Sequence, residues 1–287
     1  MNPLADQIAA AFKAACSDEL DAPKPGNVHV FASGHGMTAF EFVRSAEAAA
    51  GPLTMPSAGV GERILGAVEA TAAAVGSNTN LGIILLCAPL AATAELKPED
   101  LCAGLAQVLD RLNVRDAELA FRAIVRAAPA GLGQSERHDV FAPVAVTLKA
   151  AMAEAAQRDR IARQYVCNFE DVFGRGEFVL AAALARSTDR SWAALALYLD
   201  FLAAFPDSHI VRKYGADTAD DVCRAARPLN ARIKLGEAPS ALLPDLLKWD
   251  ASLKRRGINP GTSADLTVAT LFAHRLRTIL PSARNSD

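Results

Sequence analysis

In segment after segment of this chain, apolar residues recur at helical spacing, and nowhere do they alternate with polar ones over the length of a strand. Leu4, Ile8, Ala11, Phe12 and Ala15 set the pattern and predict a first helix to about Leu20. The same spacing predicts helices from near Met37, over 60–75, from the 77–90 junction, after Pro98, around Ala117 to Val125, and over 143–165, 172–186 and 191–205. It continues over 218–233, 239–255 and 263–280. Only Val28 to Phe31 reads as a strand. Alanine and leucine dominate while aromatics are 6%, which favours closely packed helices. With no internal repeat or linker, the expectation is an all-α fold: a single compact multi-helix domain, residues 1–287, whose polar loops converge on a cleft.

The stretch Ser77-Asn78-Thr79-Asn80-Leu81-Gly82 runs straight into the apolar Ile83 to Leu90. Asn78, Thr79 or Asn80 can cap the exposed N–H groups of a helix start, and Gly82 has no Cβ to keep a ligand away. That end of a helix suits an anion such as phosphate. A capped core helix without a ligand explains the same residues.

Lys plus Arg number 30 against 32 Asp plus Glu, so no basic excess points to nucleic acid and the expected partner is a small molecule. The five cysteines are scattered with no C-x-x-C pair, as in a reduced cytosolic protein. Charges within the first twenty residues interrupt any signal-peptide core. The apolar run over 81–94 is short of the roughly 20 residues a bilayer needs. A soluble cytoplasmic protein with no membrane partner is expected, its oligomeric state left open.

Polar residues gather at Pro/Gly junctions. A stiff loop from Asp21 to His29 offers Lys24, Asn27 and His29 and continues to His35. Glu62 and Glu69 lie seven apart, two turns along nearly one helix face, where they could share a divalent cation or form a solvated acidic stripe. A glycine-rich loop leads to Ser135-Glu136-Arg137-His138-Asp139. A mixed polar segment over 207–215 carries Asp207 and Arg212, and Asn259-Pro260-Gly261 leads to Thr262, Ser263 and Asp265. Thr262 with Asp265 also fits a capping box, although Glu or Gln is usual at the second position. Such an inventory suits a magnesium-bound polyphosphate, because magnesium takes a few carboxylates plus phosphate oxygens while Lys, Arg and backbone N–H groups neutralise the rest. No H-E-x-x-H, G-x-S-x-G, Walker lysine or dinucleotide motif is present.

Taken in order, Pro23-Lys24-Pro25-Gly26, Gly34-His35 with Met37, Ser45-Ala46, Gly61-Glu62, Asn78-Thr79 with Gly82, Asp207 with Arg212 and Gly215, and Ser263-Ala264-Asp265-Leu266 resemble the triphosphoribosyl-dephospho-CoA synthase family over nearly the whole chain. The resemblance implies an all-helical pentosyltransferase that takes ATP, releases adenine, and joins the triphosphoribosyl group to a ribose hydroxyl of 3′-dephospho-CoA. It implies Mg2+ accompanying ATP. Catalytic candidates are then Glu62 and Asp265, and metal candidates Glu62, Glu69, Asp139 and Asp265. Lys24, Asn27, His35, Asn78, Thr79, Arg212 and Ser263 become substrate-binding candidates. Members serving citrate lyase commonly read Asn-Thr-His-Lys-Gly where this chain has Asn78-Thr79-Asn80-Leu81-Gly82. They also commonly carry aspartates where His29 and Gly36 stand. The Asn-Thr-Asn-Leu-Gly form resembles a branch tied to one-carbon carriers of pterin or furan type, so a divergent member making another cofactor is the alternative. A non-catalytic nucleotide-binding protein is a third reading.

Overall fold

The computed structural model describes residues 2–129 and 140–280. Fourteen α-helices follow one another among them: α1 (Pro3–Asp21), α2 (Ala39–Leu53), α3 (Val60–Val75), α4 (Leu81–Glu95), α5 (Leu101–Asp110), α6 (Val114–Ala127), α7 (Leu148–Ala155) and α8 (Arg160–Val166). After a π-helical turn (Asp171–Gly176) come α9 (Glu177–Leu184), α10 (Arg190–Ala204), α11 (Ser208–Tyr214), α12 (Ala216–Lys234), α13 (Pro239–Arg255) and α14 (Gly261–Ile279). The all-helical expectation holds. Val28 to Phe31 forms no strand; two isolated bridges, His29 with Ala32 and Gly34 with Met37, pinch that loop instead.

The described helices gather into two compact units. The first holds the residues up to Ala15, Arg44–Glu170, and those from Phe272 onward. Its core helix is α4, in which every residue from Ile83 to Ala91 is buried, as an all-round apolar helix must be. Pro89 lies inside α4 and has no N–H to give the carbonyl of Leu85 four residues earlier. The hydroxyl of buried Tyr165 donates to that carbonyl at 2.6 Å, so the orphaned acceptor is paired. α3 crosses α6 at Gly61, whose N–H donates to Asp116 Oδ1 at 2.9 Å. A Cβ at Gly61 would lie 2.6 Å from the Cα of Asp116, so this approach requires glycine.

The second unit holds Cys16–Val43 and Asp171–Leu271. Its core helix is α10, buried from Ala193 to Leu202 and packed by α9 and α12.

Three predicted boundaries differ. The helix expected over 143–165 is two, because Asp159 accepts from the N–H groups of Ile161 and Ala162 and so starts α8 afresh. The segment over 172–186 opens as a π-helical turn, in which Gly176 lies where a Cβ would meet Thr270 Oγ1 at 2.6 Å. The polar segment at 207–215 is itself a helix: Asp207 caps it, and Gly215 ends it at φ 86°.

Candidate functional site

Within the second unit the Pro-Lys-Pro-Gly loop is fastened at several points, each to a group a short polar loop would otherwise leave unpaired. Lys24 is fully buried; its ammonium pairs with Glu19 at 2.9 Å and donates to the carbonyls of Glu19 and Val28, both at 2.8 Å. Burial pushes the Lys24 pKa down and that of Glu19 up, each partly offset by the other's charge. Gly26 turns the chain at φ 84°, and its N–H donates to Asp250 Oδ1 at 2.9 Å. Tyr198 donates to the carbonyl of Pro25 at 2.7 Å, and Asn27 Nδ2 to Asn259 Oδ1 at 2.8 Å.

His35, half-buried at φ 56°, lies 2.7 Å through Nε2 from the carbonyl of Gly26. A carbonyl only accepts, so Nε2 carries the proton, and neutral His35 keeps Nδ1 as an acceptor. α13 supplies the floor. Asp250 Oδ2 lies 3.0 Å from Lys254 Nζ and 3.4 Å from His29 Nε2, and Lys254 also donates to the carbonyl of Ala32 at 2.9 Å. Burial pushes Asp250 up, but hydrogen bonds from His29, Lys254 and the Gly26 N–H together bring its carboxyl below the usual range. His29 is buried, with Nδ1 lacking a hydrogen-bond partner.

The starts of α11 and α14 meet at one carboxylate. Buried Asp207 accepts from the N–H groups of His209 (3.0 Å) and Ile210 (3.3 Å) with Oδ1. With Oδ2 it accepts from the N–H and the hydroxyl of Ser263, each at 2.8 Å. α14 begins at Gly261, so Thr262 stands inside its first turn rather than at the cap position the spacing suggested. Asp207 takes the Ser263 N–H, while Thr262 Oγ1 shares a hydrogen bond with Ser208 Oγ at 2.9 Å and accepts from the His209 N–H at 3.2 Å. Tyr214 ties the end of α11 to the Gly257 carbonyl at 2.7 Å. Arg212 and Lys213 stand in the last turn of α11, Arg212 half-buried, and Asp265 is half-buried one turn into α14.

Burial, with Arg212, Lys213 and His35 nearby, lowers the pKa of His209 to about 4. Burial likewise lowers His29 and His35. All three imidazoles thus resist protonation and favour the neutral form. Hydrogen bonds within the unit fasten Lys24, Asn27, His35 and Ser263, while Arg212 and Asp265 stand on α11 and α14, whose starts Asp207 joins.

Four other candidates belong to the first unit. Glu62 and Glu69 are both exposed on α3, and Glu62 Oε2 accepts from the Gly59 N–H at 2.9 Å as the acid of a capping box. Asn78 accepts from the Leu81 N–H at 3.2 Å, and Thr79 donates to Ser45 Oγ at 2.6 Å. Asn80 is buried with Nδ2 lacking a partner. Among the described residues no group of three or more His, Cys, Asp or Glu side chains is placed to hold a metal. Asp139, with the rest of its cluster, lies outside the described residues.

Asp250 and Lys254 escape a sequence reading because, four apart inside a helix, they look like an ordinary surface ion pair. Asn259 and Asp207 sit at junctions the sequence marks, but nothing in the spelling says which donors they reach.

No single helix among the described residues is long and apolar enough to cross a membrane. No curated protein matches the chain. A crystal structure from Archaeoglobus fulgidus, provisionally assigned as a triphosphoribosyl-dephospho-CoA synthase, superposes with a TM-score of 0.63 at 24% identity. The match covers 80% of this chain and 95% of that one, and at this identity it speaks for the fold. The family model CitG, described as ATP:dephospho-CoA triphosphoribosyl transferase, matches residues 5–283, virtually all of the sequence. The ordered motifs, the all-helical fold and this match agree: the chain belongs to the ATP:dephospho-CoA triphosphoribosyl transferase family.

Proposed function

We propose that this chain performs its family's reaction, transferring the triphosphoribosyl group of ATP to 3′-dephospho-CoA, with the interlocked junctions of the second unit as part of the nucleotide site. The carrying observation is the double cap at Asp207, which holds the starts of α11 and α14 beside one another. Ser263, buried with both of its donors on Asp207, holds the start of α14 in place, and Arg212 supplies positive charge for the polyphosphate. Lys24, buried and committed to Glu19, serves by holding the Pro-Lys-Pro-Gly loop in shape. Asn27 and His35 line that same loop.

In the reaction the bond from ribose C1 to adenine breaks, and a bond from C1 to the acceptor hydroxyl oxygen forms. The hydroxyl proton leaves to a base, and adenine departs with its nitrogen protonated. Asp265 and the neutral His35 are the candidate acceptors for that proton, and a carboxylate also steadies positive charge developing at C1. The first unit carries its own candidates, Glu62, Glu69, Asn78 and Thr79. Magnesium would arrive with ATP as a counter-ion of its phosphates. Such an ion keeps waters and phosphate oxygens and needs few protein ligands, so a single carboxylate, Asp265 in the second unit or Glu62 or Glu69 in the first, has the oxygen chemistry to meet it. A reaction fed by ATP is placed in the cytoplasm.

Adenine release from ATP with dephospho-CoA, followed by chromatography, tests the reading. Glu62→Gln and Asp265→Asn are each expected to lower the rate at least tenfold, and full activity in both removes these roles. A second reading, a member building a one-carbon carrier, is favoured by Asn80 and Leu81, which leave no cation where citrate-lyase members have histidine and lysine. Absence of adenine release with dephospho-CoA, together with release when a pterin or furan acceptor is supplied, would favour it.

A further inference from the structure

A cavity of about 710 Å³ opens within the second unit between the π-helical turn with α9 on one side and α12 on the other, floored by α10. It exists because the facing positions are small: Ala182, Ala183 and Ala196 leave room that larger side chains would fill. Phe178, Trp192 and Ile233 give it apolar walls, and Phe178 is 77% exposed. A soluble domain seldom shows a large aromatic beside an apolar hollow without a use for it.

One end of the hollow is charged. Asp200, its side chain 1% exposed, accepts from Arg175 Nη1 at 2.8 Å and from Asn230 Nδ2 at 3.1 Å, and pairs with Lys234 at 2.7 Å. Burial alone would raise its pKa, yet these partners together bring it below the usual carboxylate range, so it stays ionised. Two cations thus face one carboxylate, and both are about half exposed toward the mouth. Arg186, also at the wall, donates to the Lys234 carbonyl at 2.8 Å and adds a further positive charge.

We propose that this cavity is a binding site for a small aromatic acid, its ring against Trp192 and Phe178 and its single anionic group at Arg175 and Lys234. Apolar hollows of this size with a few convergent polar groups are the usual form of small-molecule sites. The excess of positive charge selects an anion over a neutral ring of the same shape. Asp200, itself steadied by the Asn230 amide, holds the two cations in place before the ligand arrives. No candidate residue of the transferase site lines it.

The test is a fluorescence titration of the full chain with anilinonaphthalene sulfonate, with 2-naphthoate and 2-naphthylmethanol as competitors. One dye per chain is expected, displaced at least tenfold better by the naphthoate. Ala182→Trp, on an exposed face of α9 where folding is not at stake, should weaken the dye at least tenfold, and Arg175→Gln should erase most of the preference for the acid. Equal displacement by the two competitors, or dye binding untouched by Ala182→Trp, overturns the proposal. So does a dimer in sedimentation that Phe178→Asp dissociates, since the hollow is then covered by a second copy.

Discussion

Asp207 grips Ser263 twice through one oxygen, taking its backbone N–H and its hydroxyl at 2.8 Å each, while its other oxygen caps α11. Four donors converge on one buried carboxylate, so two helix starts share a single anion. Asp207→Ala leaves those donors unpaired in the interior and is expected to cost on the order of 3 kcal/mol in urea unfolding, with adenine release lost as α14 shifts. Asp207→Asn keeps one acceptor but turns a donor toward Ser263, and should fall between.

Tyr165→Phe keeps the ring and removes the hydroxyl that donates to the Leu85 carbonyl left open by Pro89. A stability loss of about 1–3 kcal/mol is expected by thermal or urea melting, because a buried carbonyl is stranded. Restoring the helical donor with Pro89→Ala in the same chain should recover much of it, and adenine release should be unaffected by either change.

His209 has its pKa lowered to about 4, below the value near 6.5 expected of an unfolded chain. Between those values the unfolded state binds the proton that the folded state refuses. Stability is therefore full above about pH 6.5 and is lost as pH falls toward 4, by up to about 3 kcal/mol. His29 and His35 shift in the same direction and add to the slope. Urea midpoints measured from pH 7 to pH 4.5 should drop, and His209→Gln should flatten the curve.

Lys24→Met strands the buried carboxylate of Glu19 and should destabilise by about 3–5 kcal/mol. The double variant Glu19→Leu with Lys24→Met removes both charges and should regain most of that. If adenine release recovers with stability, Lys24 acts through the loop; if stability returns without activity, the ammonium itself serves the substrate.

Gly61→Ala sets a methyl 2.6 Å from the backbone of Asp116, which cannot swing aside as a side chain would. A loss of about 1–3 kcal/mol from overpacking is expected in melting experiments. Gly36→Ala, where nothing lies within 4 Å, meets only the penalty of its φ of 75° and should cost less.

Helix identity and most helix limits lie in local spelling. The apolar period marks helices at about Val60–Val75 and Pro239–Arg255, where α3 and α13 lie, and Gly76 stops α3 in the left-handed conformation that a glycine adopts freely. The local reading failed where a polar residue had two uses. Asp159 and Asp207 could belong to loops or begin helices, and only their bonding shows the second.

By itself, then, the sequence determined the helical class, the family and the junctions where polar groups collect, since periodicity, caps and ordered motifs are properties of neighbours along the chain. Tertiary structure alone decided which junctions interlock. Asp207 reaches Ser263 across 56 residues, and Asp250 reaches Gly26 across 224. A carboxylate's partners depend on which donors packing brings within about 3 Å of it, and no spacing along the chain encodes that distance.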